Sequence, residues 1–161
     1  MDEVLTLREV TDDDADDLIT LVGDAYAEYP GCVLDLDDLD ADLHAPATAI
    51  DAAGGRWWVL EDAGRVVASV AAGPHRPDGT VELKRLYVAA SHRRRGVAAR
   101  LVVEVEGHAH EVGARGVTLW TDRRFLDAHR LYTRCGYVAT GASRALHDLS
   151  NTTELEFVRH P

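Results

Sequence analysis

Hydrophobic and polar positions change period along the chain, and the first changes predict a strand followed by a helix. Leu5 and Leu7 alternate with polar residues, which is typical of a short strand with one buried face. Apolar residues then recur at three- and four-residue spacing over 15–26, which predicts an amphipathic helix. Thr11 followed by Asp14 has the spacing of a capping box, so we expect the helix to start there.

The middle of the chain predicts a second short helix and two hairpins. Leucines recur at helical spacing among the aspartates of 35–43, whereas the small, turn-forming residues of 45–55 predict a mobile connection. Two apolar runs, 56–61 and 65–73, are joined by Asp-Ala-Gly, which is a hairpin signal. The prolines and glycine of 74–79 predict another hairpin turn before the next strand.

The second half begins with Val81–Ala98, where a strand-like run leads into three arginines, a glycine and a helical pattern. Apolar residues at helical spacing continue to Val112 and then give way to glycines, which predicts the end of a long helix. Strand patterns follow at 117–121, 137–140 and 154–158, with one helix between the first two, marked by Ala128, Leu131 and Tyr132.

Taken in order, the elements run β-α-α-β-β-β-α-β-α-β-β, which predicts an α/β (α+β) fold. The chain has 161 residues, of which 46% are hydrophobic, so it is long enough to bury one substantial core. Its composition shows no shift along the chain that would suggest a second domain. We therefore expect residues 1–161 to form a single domain.

Composition excludes several classes of function. A net charge of −11 argues against nucleic acid or an anionic membrane as partner, because both attract basic surfaces. The chain has no apolar run of 18 residues and opens with Asp2 and Glu3, so we expect neither a membrane span nor a secretion signal, and a cytoplasmic location by elimination. Cys32 and Cys135 are far apart and the histidines lack ligand spacing, so we expect free thiols and no bound metal.

The stretch Val81–Ala98 gives the strongest indication of a binding site. It brings Arg93, Arg94, Arg95 and the backbone of Gly96 to the N-terminus of a helix. Unpaired N–H groups and the helix dipole at such a junction favour an anion such as phosphate. Taken alone, the three arginines also fit a solvated basic turn that balances the acidic surface.

Three segments together carry a family likeness: ELKRLYV at 82–88, RRRGVA at 93–98 and AHRLYTRCGY at 128–137. With the order of elements, they closely resemble the Gcn5-related N-acetyltransferase (GNAT) superfamily over nearly the whole chain. The specific part is the fingerprint Arg/Gln-x-x-Gly-x-Gly/Ala at a strand-to-helix junction, met by Arg93, Gly96 and Ala98. The resemblance implies the GNAT fold, a central mixed and strongly twisted sheet of six to seven strands flanked by about four helices.

The resemblance also implies acetyl-CoA as co-substrate, without a metal. In that family the fingerprint loop binds the pyrophosphate, and the preceding strand pairs through its main chain with the pantetheine amides. Many relatives carry an asparagine three residues before Ala128, where this chain has Phe125, so one polar cofactor contact is missing or supplied by another residue. Carried over to this chain, the cofactor-binding residues are Leu86, Tyr87, Val88, Arg93, Arg94, Arg95, Gly96, Val97 and Ala98.

Two side chains are candidates for the chemistry. Acyl transfer needs a deprotonated amine and a protonated leaving thiolate, for which family members often use a carboxylate and a tyrosine. Tyr132 matches the family's tyrosine, which points at the thioester sulfur; its alternative role is that of a core aromatic. Glu82 lies where the family often carries a carboxylate, and its alternative role is that of a strand glutamate paired with Lys84 or Arg85.

The acceptor is less well defined by the sequence. In the family fold the segment between the first two helices and the final strands shapes the acceptor cleft, which places there Tyr26, Tyr29, the aspartates of 35–42 and the loop from Ser143 to Thr153. Those acids would suit a cationic amine, or would simply make the surface soluble. Trp57 and Trp58 point to opposite faces of a strand, so we expect one in the core and the other at the cleft. An exposed final strand would also allow a homodimer.

These observations favour an N-acetyltransferase that moves the acetyl group of acetyl-CoA directly to a primary amine of a small molecule or peptide in a ternary complex. Cys135, the only cysteine in the motifs, adjoins a helix-ending glycine and fits a packed thiol better than a nucleophile. The alternative is a non-catalytic acyl-CoA-binding or sensor domain. P-loop and Rossmann fingerprints are absent after the strands, which disfavours other nucleotide binders.

Overall fold

Seven strands form one mixed sheet in the order β1-β2-β3-β4-β5-β7-β6. A computed structural model describes residues 4–160, so Asp2 and Glu3, on which the expected lack of a secretion signal rests, lie outside the described residues. Only the β4–β5 pair is parallel among the strands described. The strands are β1 Thr6–Glu9, β2 Arg56–Asp62, β3 Arg65–Ala72, β4 Thr80–Val88, β5 Gly116–Asp122, β6 Val138–Ala145 and β7 Thr153–Arg159.

Helices cover both faces of the sheet and bury two apolar cores. Helices α1 (Ala15–Ala27) and α2 (Pro46–Ala52) pack on one face, where Leu18 and Val59 are fully buried. Helices α3 (Val97–Glu111) and α4 (Leu126–Arg134) pack on the other. The predicted fold class, a mixed sheet of six to seven strands with about four helices, is confirmed. No helix within residues 4–160 has both the length and the apolar character needed to cross a membrane.

The start of the first helix follows the predicted capping box. The backbone N–H of Thr11 donates to the Asp14 carboxylate at 2.8 Å, and the same carboxylate receives two hydrogen bonds from Arg8 at 2.7 and 2.8 Å. One turn of 3-10 helix over Asp12–Asp14 then leads into α1. The carboxylate therefore links β1 to the helix that covers it.

The predicted second helix was wrong in its position. Residues 36–40 form turns and Ala41–His44 form only a short 3-10 helix. The Asp40 carboxylate accepts a hydrogen bond from the Asp35 backbone N–H at 2.9 Å and so competes with helical pairing. The helix lies instead at Pro46–Ala52, in the segment predicted as a mobile connection. Proline at the first position and alanines after it favour a helix, and Thr48 anchors it to Asp12.

Both tryptophans of β2 belong to the core, which corrects the expectation that one borders the cleft. Trp57 packs in the core under α1, and Trp58 packs in the core under α3. A sheet covered on both faces buries both orientations of a central strand, which explains the difference. At the opposite end of the sheet, all eight residues of the edge strand β6 are exposed. The final strand β7 pairs with β5 on one side and with β6 on the other, so the expectation of an exposed final strand is wrong. The homodimer itself stays a prediction.

Candidate active site

The parallel strands β4 and β5 separate halfway along their length. Their pairing runs from Thr80 opposite Gly116 to Leu83 opposite Leu119, and no further pair joins them in the described chain. Two cavities of about 430 and 530 Å³ occupy the resulting opening. The first cavity lies toward β6 and the second toward the start of α3. They share Leu86, Tyr87, Phe125, Ala128 and Tyr132, so the two spaces meet at the opening.

A bulge in β4 turns the strand at this opening. Ser69 and Ala71 of β3 face Tyr87 and Lys84, so β4 carries one extra residue, and Arg85 has a φ of 52°. The Ser69 hydroxyl donates to the Arg85 carbonyl at 3.0 Å and accepts from Trp57 Nε1 at 2.8 Å. Because Ser69 and Trp57 are buried, the bulge is held from the core.

The Arg85 side chain fixes one wall of the first cavity. It is 13% exposed and forms ion pairs with Asp40 at 2.9 Å and with Asp42 at 2.5 Å. The Tyr26 hydroxyl lies 3.5 Å from Asp40 and 3.3 Å from the Tyr87 hydroxyl. Burial raises the pKa of both tyrosines above the ordinary value, so both stay neutral. Tyr26 lines the first cavity.

Glu82 lies beside two cationic side chains, and its predicted role in catalysis stays a prediction. Its carboxylate, on a side chain that is 20% exposed, lies 3.8 Å from both Arg76 and Lys84. It also lines the first cavity, on the last part of β4 that still pairs with β5. The Glu82 carboxylate therefore borders the opening and lies near two cationic side chains.

Tyr132 lies at the meeting point of the two cavities and lines both. It is carried by α4 and is buried, with its ring centroid 6.0 Å from those of Tyr137 and Phe157. Burial raises its pKa above that of an exposed tyrosine, so the phenol keeps its proton at neutral pH. Tyr132 therefore belongs to the core and also borders the opening.

The fingerprint loop brings backbone N–H groups to the second cavity. Arg94 and Gly96 have φ values of 62° and 74°, and α3 starts directly after them without a side-chain cap. The first N–H groups of a helix have no partner within it, so those of Val97 and Ala98 are available to a ligand. A Cβ atom on Gly96 would meet no atom within 4 Å, so the space above this residue is open. Ala98 lines the cavity.

The three arginines differ in their surroundings. Arg93 donates to the Val88 carbonyl at 3.1 Å and pairs with Glu28 at 2.8 Å, so it ties the end of β4 to the end of α1. Arg94 lines the second cavity, and its guanidinium has no ion-pair partner within the part of the chain that is described. Arg95 is exposed, whereas the side chain of Val97 is buried in the core and leaves only its backbone for a ligand.

Phe125, which stands where many relatives have asparagine, belongs to an aromatic cluster. Its ring centroid lies 4.6 Å from Tyr29 and 6.4 Å from Tyr26. Tyr29 lines the second cavity and Tyr26 the first, so the two residues predicted to contact the acceptor border different cavities, and both roles stay predictions. The described residues contain no group of three or more side chains that could hold a metal ion.

Sequence reasoning missed the residues that shape the bulge. Arg85, Ser69 and Trp57 each belong to an apolar strand pattern, and only the charge of Arg85 in such a strand distinguishes it. A cation on a buried strand requires an acidic partner, and the acid-rich segment 35–42 was the available one. That reasoning would have predicted the contact with Asp40 and Asp42 but not the bulge.

Comparison with known proteins identifies one family. Residues 18–137 match the sequence profile of the acetyltransferase (GNAT) family. The chain is 37% identical over 107 residues to N-acetyltransferase family 8 member 2 of Rattus norvegicus and 34% identical over 115 residues to N-acetylaspartate synthetase of Homo sapiens. The matches cover 64% and 71% of this chain but only 47% and 37% of those proteins, so the chain spans about half or less of their lengths.

Solved structures share the fold. A GNAT-family acetyltransferase from Staphylococcus aureus Mu50 superposes with a TM-score of 0.81 at 18% identity, covering 98% of this chain and 99% of that one. The protein yncA of Salmonella typhimurium, solved with its cofactor acetyl-CoA, superposes with a TM-score of 0.73 at 18% identity, covering 98% and 94%. At this level of identity the likeness concerns the fold alone.

Proposed function

Because the chain belongs to the acetyltransferase (GNAT) family, we propose that it transfers the acetyl group of acetyl-CoA to a primary amine. The observation that carries the proposal is the opening between β4 and β5, in which two cavities meet at Tyr132. Two cavities suit a reaction that joins two substrates, because each substrate enters from its own side. The relatives named as N-acetyltransferases and the acetyl-CoA in yncA support this choice of substrates.

Acetyl-CoA fits the second cavity by its chemistry. The N–H groups at the start of α3 suit its pyrophosphate, and the open space above Gly96 admits that group close to the backbone. Arg94 adds a positive charge to this cavity. The edge of β4 at Leu86–Val88, which β5 leaves unpaired, offers main-chain partners for the pantetheine amides.

The acetyl group then moves directly from sulfur to nitrogen. The amine nitrogen attacks the thioester carbonyl carbon, a C–N bond forms and the C–S bond breaks. The proton lost by the nitrogen passes to Glu82, directly or through water, because this carboxylate lines the acceptor side of the opening. Cys32 lines the same cavity, but burial raises the pKa of its thiol, which disfavours the thiolate that a covalent route would need.

Tyr132 supplies the proton for the leaving group. Its phenol stays protonated at neutral pH, since burial raises its pKa. Burial also raises the pKa of the departing thiol, because a desolvated thiolate is a stronger base than a hydrated one. The buried tyrosine therefore donates a hydrogen bond to the sulfur and gives up its proton as negative charge develops there.

The first cavity favours a cationic acceptor. Six carboxylate side chains and three cationic side chains line it, and Arg76 and Arg124 pair with Glu82 and Asp122 from outside the lining. The carboxylates still outnumber these cations, so the space has a negative potential that attracts ammonium groups. The carboxylates belong to Asp35, Asp40, Glu82, Asp122, Asp148 and Glu154, and the cations belong to Lys84, Arg85 and Arg144.

Steady-state kinetics with acetyl-CoA and a panel of amines test the proposal. We expect initial-velocity lines that intersect, as direct transfer requires, rather than the parallel lines of a covalent intermediate. Tyr132→Phe should lower kcat about a hundredfold, within the range for loss of a general acid. Tyr137→Phe is the matched control, because the Tyr137 hydroxyl is buried, has no hydrogen-bond partner in the described chain and lines neither cavity.

An unchanged kcat for Tyr132→Phe would contradict the role of Tyr132. Glu82→Gln tests the base in the same assay and should lower kcat with little change in the KM for acetyl-CoA. Binding of CoA without turnover on any amine would instead favour a sensor domain.

A further inference from the structure

The far wall of the first cavity holds a cation in an aromatic and acidic site. The Arg144 guanidinium lies over the Trp120 ring, with its carbon 4.2 Å from the ring centroid. The same group pairs with the Glu154 carboxylate at 2.7 and 2.8 Å. All three side chains line the cavity. An aromatic face beside a carboxylate is a general receptor for organic cations, and here the chain's own guanidinium occupies it.

Arg144 is poorly anchored in this site, whereas its partners are firmly placed. Its side chain is 46% exposed and comes from β6, the edge strand whose residues are all exposed. Glu154 is only 18% exposed, and Trp120 belongs to β5 inside the sheet. Exposed ion pairs and exposed cation–π contacts are weak, so a ligand cation can displace the arginine into solvent.

The charge around the site also favours replacement of one cation by another. The three cations of the first cavity are each paired with a carboxylate, since Lys84 lies beside Glu82 and Arg85 beside Asp40. Asp148 accepts hydrogen bonds from Thr152, which outweigh its burial and hold its pKa below the ordinary value, so it adds a further negative charge. This negative charge would repel a carboxylate group on the acceptor and attract a second ammonium group.

We propose that Trp120 and Glu154 bind a second cationic group of the acceptor, and that Arg144 occupies this subsite until the acceptor displaces it. The acceptor class is therefore an amine that carries another positive charge at a distance from the nitrogen that is acetylated. The inference rests on the proposed acetyl transfer for its reacting nitrogen. Arg144 acts as an internal competitor that sets the specificity for doubly charged amines.

The experiment compares the wild type with Arg144→Gln on three acceptor series of matched length: α,ω-diaminoalkanes, n-alkylamines and ω-amino carboxylates. Arg144→Gln should lower the KM for the diamines about tenfold, because the competing cation is gone, and leave the KM for the alkylamines unchanged. Glu154→Gln combined with Arg144→Gln should remove that gain. Arg65→Gln is the control for net charge, because Arg65 is exposed on β3 and lines neither cavity.

Three results would overturn the inference: a diamine KM that does not fall in Arg144→Gln, an equal fall for alkylamines, or a loss of activity confined to the amino carboxylates. The last result would make Arg144 a ligand for an acceptor carboxylate. Calorimetric titration of a diamine into CoA-saturated protein tests the same subsite without turnover, and Arg144→Gln should tighten that binding about tenfold. If no acceptor is acetylated, the proposed function fails, and the titration still decides on the subsite.

Discussion

Removal of the buried Ser69 hydroxyl should show whether the bulge in β4 affects acetyl-CoA binding in addition to the stability of the fold. Ser69→Ala takes away the donor to the Arg85 carbonyl and the acceptor of the Trp57 indole N–H. Each buried polar group that loses its partner costs about 1–3 kcal/mol, so with two such groups we expect a loss of about 2–6 kcal/mol in the free energy of unfolding. The bulge itself, with Arg85 in a left-handed conformation, holds about 1–3 kcal/mol of strain that these hydrogen bonds offset.

Without the Ser69 hydroxyl, the bulge should relax and shift the backbone of Leu86–Val88, where we place the pantetheine. The KM for acetyl-CoA should then rise at least threefold, the effect of a loss of about 0.7 kcal/mol in binding. Trp57→Phe is the matched control, since it loses the indole N–H but leaves the Ser69 hydroxyl on the Arg85 carbonyl. It should therefore lower stability without changing this KM.

Urea unfolding and steady-state kinetics on the three proteins check this prediction. A free energy of unfolding for Ser69→Ala within about 0.5 kcal/mol of the wild type would show that the buried groups find other partners. An equal stability loss in both variants with an unchanged KM for acetyl-CoA would refute the link between the bulge and the cofactor.

Two further predictions concern the fingerprint loop and the first helix. Gly96→Ala should lower the free energy of unfolding by about 1 kcal/mol, because φ at this position is 74°. It should also weaken CoA binding in calorimetry at least tenfold, because the added methyl group enters the open space. Gly113→Ala, with the same φ and equally open surroundings, should lower the free energy of unfolding without changing CoA binding. Asp14 is buried, which opposes ionisation, but hydrogen bonds from Arg8 and Thr11 hold its pKa below the ordinary value. Its stabilisation is therefore complete above about pH 5 and is lost as the pH falls through the folded-state pKa. Asp14→Asn should lower the free energy of unfolding by about 2 kcal/mol at pH 7, and urea titrations should show that difference shrinking below pH 4; a difference independent of pH would contradict it.

The order of elements could be predicted because most of them carry a strong period. Alternation in β1, the apolar spacing of α1 and the hairpin turn at 62–64 all appear in the structure with boundaries within a few residues. The second helix could not be placed correctly, because leucine spacing over 35–43 favoured it there, whereas Asp40 pairs with the backbone instead. Local side-chain competition of this kind decides where a short helix forms.

Residues of the candidate site could be named from the sequence where a motif carries them. The fingerprint pointed to Gly96 and Ala98, and the second motif pointed to Tyr132. Ala98 and Tyr132 line the second cavity and Gly96 adjoins open space, while their roles stay predictions. The ion pair between Arg93 and Glu28 joins residues 65 positions apart. Such pairing is set by the packing of α1 against the end of β4, which no local pattern encodes.

The central claim is that this chain transfers the acetyl group of acetyl-CoA to an amine at the opening between β4 and β5. Following both products of that reaction together tests it most directly. The protein is incubated with acetyl-CoA and a diamine, released CoA is titrated as thiol, and acetylated amine is quantified by mass spectrometry. We predict one acetylated amine for each CoA released. Tyr132→Phe should form both products about a hundredfold more slowly, and Tyr137→Phe should form both at the wild-type rate. Acetyl-CoA that binds but yields no acetylated product with any amine would contradict the account.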